Sequence, residues 1–121
     1  MEKYRFRGWD KKTKNFYYVT GLECNDGEID GVHLVGEEAQ SLSEVELFLG
    51  SGMKDIRGNE IFEGDILVTE AIKGLQIANV KFENGEFAAG GIPLKEIHDK
   101  SRIVGNIKEI TGKEEFKWRT P

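Results

Sequence analysis

Cysteine, proline and long apolar runs are scarce in this 121-residue chain. Its one thiol, Cys24, excludes an internal disulfide and fits a reducing compartment. No apolar run, Ile66 to Val68 included, comes near the ~20 residues a membrane helix needs. The opening Met-Glu-Lys-Tyr-Arg-Phe-Arg lacks the apolar stretch of a signal peptide. A cytoplasmic protein with no membrane partner is therefore expected. Only two histidines occur, His33 and His98, and with Cys24 they are too scattered for a zinc set. Nothing in the sequence positions them as a Cys–His nucleophile pair. No catalytic residue, metal ligand or cofactor is expected.

Lys and Arg are also missing between residues 21 and 50, where eight acids stand, whereas residues 1–20 carry six bases and two acids. Such asymmetry can mark a nucleic-acid-binding arm. The simpler reading sets a basic strand beside an acidic one, so that the two fields largely cancel. A net charge of −5 and a pI near 5.1 lack the footprint of a non-specific DNA binder.

Glycine is abundant, fifteen against two prolines, as expected of a β-rich protein with many tight turns. Four of the glycines and two aspartates fall between Gly50 and Val68. Asp55-Ile56-Arg57-Gly58 has type I turn composition, and Glu63-Gly64-Asp65 is a second corner leading into a strand at Ile66. We read Gly52, Asp55, Gly58, Glu63, Gly64 and Asp65 as a structural turn motif at the entry to a small barrel. A phosphate loop fails here, because no Lys-Ser/Thr follows the glycines. A calcium loop fails because its third and sixth positions would be Arg57 and Glu60. Asp55, Glu60, Glu63 and Asp65 do concentrate acid, so a small metal-dependent hydrolase is the remote alternative.

Elsewhere period two dominates. Lys3 to Arg7 alternates with Tyr4 and Phe6 inward, and Gly8-Trp9-Asp10 then leads to a polar connection. Phe16 to Leu22 returns as a strand, and Asp26-Gly27 and Asn84-Gly85 are type I′ hairpin signals. The phase of the alternation changes at Gly31, as at a bulge. Val45 to Leu49 reads as a strand, with one helical turn possible before it at the Ser41-Leu42-Ser43-Glu44 capping pattern. Strands are expected over 66–71, 76–83, 86–88 and 102–110, and one helical turn near Pro93. Gly105 is a candidate close-contact point. The expected core is Phe6, Ile61, Ile66, Val68, Val80, Phe82, Phe87, Ile103 and Ile107. Lys3, Arg5 and Arg7 share a strand face near Trp9 and further aromatics, the pattern of single-strand nucleic-acid binders. The alternative places the aromatics in a core with the bases snorkelling outward, and it is preferred.

Gly52-Met53-Lys54-Asp55-Ile56-Arg57-Gly58-Asn59-Glu60-Ile61-Phe62-Glu63-Gly64-Asp65-Ile66 resembles the hallmark of the YopX-like family of phage and prophage proteins. Tyr4-Arg5-Phe6-Arg7-Gly8-Trp9-Asp10 resembles that family's opening, and Val104-Gly105-Asn106-Ile107 its close. Residues 23–42 match least. The resemblance implies a β-rich fold whose carboxy-terminal half is an SH3-like barrel. It brings no assigned activity and no catalytic residues.

The expected fold is mainly β, with α+β as the alternative. It comprises a β-rich lobe over 1–52, an SH3-like, partly open barrel over 53–110 and a tail over 111–121. The expected role is a non-enzymatic binding or assembly module, acting on a protein partner or on itself, with nucleic acid as the less favoured partner.

Overall fold

The computed structural model describes residues 6–36, 40–71 and 74–110. It is mainly β and divides into two compact units between Gly50 and Ser51. In the first unit, β1 (Phe6–Asp10), β2 (Asn15–Asn25), β3 (Glu28–Leu34), β4 (Gln40–Ser41) and β5 (Val45–Lys54) run in the order β4-β3-β2-β1-β5. β5 carries the chain into the second unit, where β6 (Glu60–Phe62) is its neighbour. The second unit also holds β7 (Asp65–Ala71), β8 (Gly74–Glu83), β9 (Glu86–Ala89), β10 (Ile92–Pro93) and β11 (Ser101–Asn106). These five form an antiparallel sheet in the order β10-β9-β8-β7-β11.

The barrel expected over 53–110 is a partly open one, and no closed barrel forms among the described residues. That sheet has two ends, at β10 and β11. Two helical turns, α1 (Leu94–Ile97) and α2 (Ile107–Ile110), flank β11. The strand expected over 102–110 thus ends at Asn106. The Asn106 Oδ1 accepts the Lys108 N–H at 2.9 Å and starts α2, as N-cap residues do.

Local chemistry accounts for the connections. Asp26 and Gly27 both have positive φ (51° and 80°), as do Asn84 and Gly85 (52° and 80°), which type I′ turns require. The register of β2 on β3 shifts next to Gly31, so that Asp30 is the extra residue of a bulge. Ser41 caps a 3₁₀ turn at Leu42–Glu44 before β5 begins.

Each unit has its own apolar cluster. In the first, Val19, Val32, Leu34 and Val45 are buried, with Phe6, Tyr17 and Leu47 packed against them. In the second, Ile61, Leu67, Val80, Ala89 and Leu94 are buried, with Phe87 and Ile103 alongside. Ile66 and Val68 are buried as expected, and Ile107 half-buried. Phe82 is a correction, because it is 44 % exposed. It lies near the β8–β9 hairpin tip, beyond the reach of the cluster that covers Val80, and packs edge-to-face on Phe87 at 4.8 Å.

Gly105 is a second correction. Among the described residues nothing lies within 4 Å of a Cβ placed there, and the glycine follows a bulge at Val104. The close approach is made by Gly8, within β1. A Cβ on Gly8 would meet Val45 Cγ1 at 2.8 Å and Leu34 Cδ2 at 2.9 Å, distances real side chains do not tolerate. Gly8→Ala is expected to lower stability by about 1–3 kcal/mol through overpacking, read as a shifted denaturation midpoint with an unchanged slope. A neutral effect would mean that Val45 and Leu34 can move aside.

Candidate functional site

Asp55 and Asp65 are both buried, 5 % and 1 % exposed, so their carboxylates need partners within the fold. Asp55 Oδ1 accepts the N–H groups of Arg57 (2.9 Å) and Asn59 (3.0 Å), holding a turn closed by Gly58 N–H to Asp55 O. Gly58 has φ +84°, which a side chain would strain. Asp55 Oδ2 accepts the Ile103 N–H at 3.0 Å, and Ile56 N–H donates to Ser101 O at 2.9 Å. The turn is thereby laid along the outer side of β11.

At the second corner, Asp65 Oδ2 accepts the Phe62 N–H at 2.8 Å, and Oδ1 accepts Asn106 Nδ2 at 3.0 Å. Gly64, with φ +87°, donates to Val80 O and accepts from Ile107 N–H. Gly52 has φ +75°, and its N–H donates to Glu60 Oε2 at 3.2 Å. Glu63 is half-buried at the corner. The blocks 52–66 and 104–107, read separately in sequence, therefore meet in one hydrogen-bonded assembly. Sequence reasoning missed Asn106 as its second polar anchor, and missed the buried Thr69–Ser101 hydroxyl pair at 2.8 Å. Among the described residues no three His, Cys, Asp or Glu side chains are placed to hold one metal ion.

The basic–aromatic face lies in the first unit. Lys3 and Arg5 fall outside the described residues. Alternation along β1 puts Arg7 and Trp9 on the face opposite Gly8 and the buried Asp10. Arg7 Cζ sits 4.2 Å from the Phe16 ring centroid, a cation–π contact. Phe16 meets Trp9 (4.9 Å) and Phe48 (5.6 Å) edge-to-face. Tyr18, 47 % exposed, and Val35 border a shallow cavity of about 330 Å³ beside Arg7. Among the described residues this face is mostly an aromatic ladder with the Arg7 guanidinium stacked into it.

The basic turn between β1 and β2 is partly neutralised within the unit. Lys12 Nζ lies 2.7 Å from Glu44 Oε2, and Lys11 Nζ donates to Ser43 O. Hydrogen bonding to Glu44, then its charge, raises the Lys12 ammonium above its usual range. His33 Nε2 pairs with Glu23 Oε1 at 2.8 Å, His98 Nδ1 with Lys54 O at 2.8 Å, and Cys24 is exposed. Within the first unit Cys24 lies opposite Ile29 and His33 opposite Gly21, so these two are not brought together as a reacting pair. A groove in the second unit, about 550 Å³, is bordered by Ile56, Val68, Glu70, Leu75, Lys100 and Arg102. Ile56 and Leu75 are exposed there, a feature the turn-motif reading did not anticipate.

No helix among the described residues is long and apolar enough to cross a membrane. No curated protein matches the chain. A crystal structure of protein EF1440 from Enterococcus faecalis is similar in fold. Its TM-score is 0.66 at 23 % identity, over 87 % of this chain and 93 % of that one. The YopX protein family matches residues 5–112, covering the opening block, the turn-rich block and the close. The chain belongs to the YopX family.

Proposed function

We propose that the protein is a non-enzymatic binding or assembly module of phage or prophage origin that works in the cytoplasm. The supporting observation is how the turn-rich block is used. Both aspartates direct their carboxylate oxygens at main-chain and side-chain donors of the fold itself. Several large apolar or aromatic side chains are exposed among the charged ones, Tyr18, Ile29, Val35, Ile56, Leu75, Phe82 and Val104, and aromatic residues in particular mark recognition surfaces. Affinity capture from bacterial lysate, with and without nuclease, is expected to retain a protein through nuclease treatment and moderate salt. Recovery of nucleic acid alone would reverse the order of the two readings.

The second reading is a nucleic-acid accessory protein, favoured by the Arg7–Phe16–Trp9 stack on a sheet face. On that reading, replacing Arg5 and Arg7 together by Ala abolishes single-strand binding, since stacking and phosphate neutralisation are both lost. A wild-type protein that binds no single strand at low salt removes it.

A further inference from the structure

The two sides of the five-stranded sheet are treated differently. Strand main chains alternate in direction, so the side each residue faces follows from the hairpins. Glu83 and Glu86 flank the two-residue Asn84–Gly85 turn and form its closing pair, so Glu83 and Lys81 face β9. Even-numbered residues of β8 then face β7, and Val80 O accordingly accepts from Gly64, next to β7. Leu75 and Ile77, odd-numbered, turn their N–H and C=O groups away from β7. β9 pairs only with Val80–Glu83 and then turns off at Gly90–Gly91. Among the described residues the first half of β8 therefore has no strand on its outer side.

The opposite end of the sheet follows the same logic and is closed. Ser101 and Ile103 face outward from β11, and they are the residues that Ile56 N–H and Asp55 Oδ2 engage. Among the described residues the open stretch of β8 has no comparable cover; the Gly90–Gly91 turn approaches it only at its Ala78 end, where a Cβ on Gly90 would lie 3.4 Å from Ala78 Cβ. Gly74-Leu75-Gln76-Ile77-Ala78 carries no charge and no proline, the usual devices that keep a free edge from pairing. Leu75 is 47 % exposed, and Gly74 and Gln76 are exposed.

We propose that this edge is a docking surface for a second copy of the chain, joined antiparallel about a two-fold axis at Gln76. The proposal rests on the binding-and-assembly reading and names its surface. The segment is self-complementary in that register. Leu75 lies opposite Ile77 of the second copy and Ile77 opposite its Leu75, each pair exchanging main-chain hydrogen bonds. The two Gln76 amides meet on the other face, and Gly74 lies opposite Ala78. No charge within the segment is placed against another, so the contact needs no ionic partner. An isologous pairing of this kind closes after two copies. Strand addition then supplies the main-chain affinity, and Leu75 and Ile77 the apolar contact.

Sedimentation velocity and hydrogen exchange on the full chain test it. The wild type is expected to be a dimer whose dissociation constant changes little with salt. Its Leu75 and Ile77 amides should become protected as concentration rises. Leu75→Lys, a surface change, and Ile77→Pro, which removes an outward N–H, should each weaken the dimer at least about tenfold. A wild type that is monomeric at all concentrations overturns the proposal, while binding to a different protein would survive. A dimer that both variants leave intact, or whose Leu75 and Ile77 amides stay unprotected, overturns the β8 edge and leaves assembly through another surface. A dimer that dissociates as salt rises points to the basic 1–20 and acidic 21–50 segments and equally overturns it.

Discussion

Asp65→Ala is expected to lower the stability of the protein by about 3 kcal/mol or more. The substitution removes the carboxylate that accepts from the Phe62 N–H and the Asn106 amide in a site only 1 % exposed. An orphaned buried donor costs roughly 1–3 kcal/mol, and more when its lost partner was a carboxylate. The melting temperature should fall by on the order of 10 °C. Asp65→Asn should recover only part of the loss. Both carboxylate oxygens accept, so an amide sets its NH₂ against one donor. Asn106 cannot flip to compensate, because its Oδ1 already accepts from Lys108 N–H. Equal stability of Asp65→Asn and wild type would show that these contacts carry little of the fold.

The second large effect is expected at Asp55. Its carboxylate serves three N–H groups, two within its own turn and one on β11. Asp55→Ala should cost about 2–4 kcal/mol, in line with three main-chain bonds at a site slightly more open than Asp65. It should also do something Asp65→Ala does not. With Ile103 N–H released, the outer side of β11 becomes available for pairing, so the variant should aggregate on mild heating before it unfolds cooperatively. Hydrogen exchange at Ile103 faster than at Leu67 or Val80 would register the release. An unchanged Ile103 exchange rate would mean that some other group covers that edge.

What the sequence disclosed divides by range. Asp26-Gly27 and Asn84-Gly85 are local, and their chemistry alone demands positive φ, so both hairpins could be read directly. The partners of Asp55 and Asp65 could not. Ile103 is 48 residues from Asp55, and Asn106 is 41 from Asp65. No periodicity links them, and the resemblance names their two blocks without joining them. Phe82 misled because alternation states which face a residue is on but not how far along the strand the cover extends. Arg7 was visible as a base among aromatics, yet its stacking on Phe16 depends on the β1–β2 register, which pairs Trp9 with Phe16. The open half of β8 depends on where β9 leaves it, a fact of topology that composition does not carry.

The same separations bear on how the protein is made. The first unit's hairpins bring together residues close along the chain, such as Trp9 with Phe16 and Asn25 with Glu28. They are low-contact-order elements that can form as the chain leaves the ribosome. The second unit cannot settle both aspartates until Ile103 and Asn106 have been synthesised, because each carboxylate has a partner there. Closing loops of that length before the contacts are rewarded makes docking of β11 the expected slow step of folding. A nascent chain halted before β11 would therefore hold a folded amino-terminal sheet ahead of a carboxy-terminal half still open to chaperones and proteases.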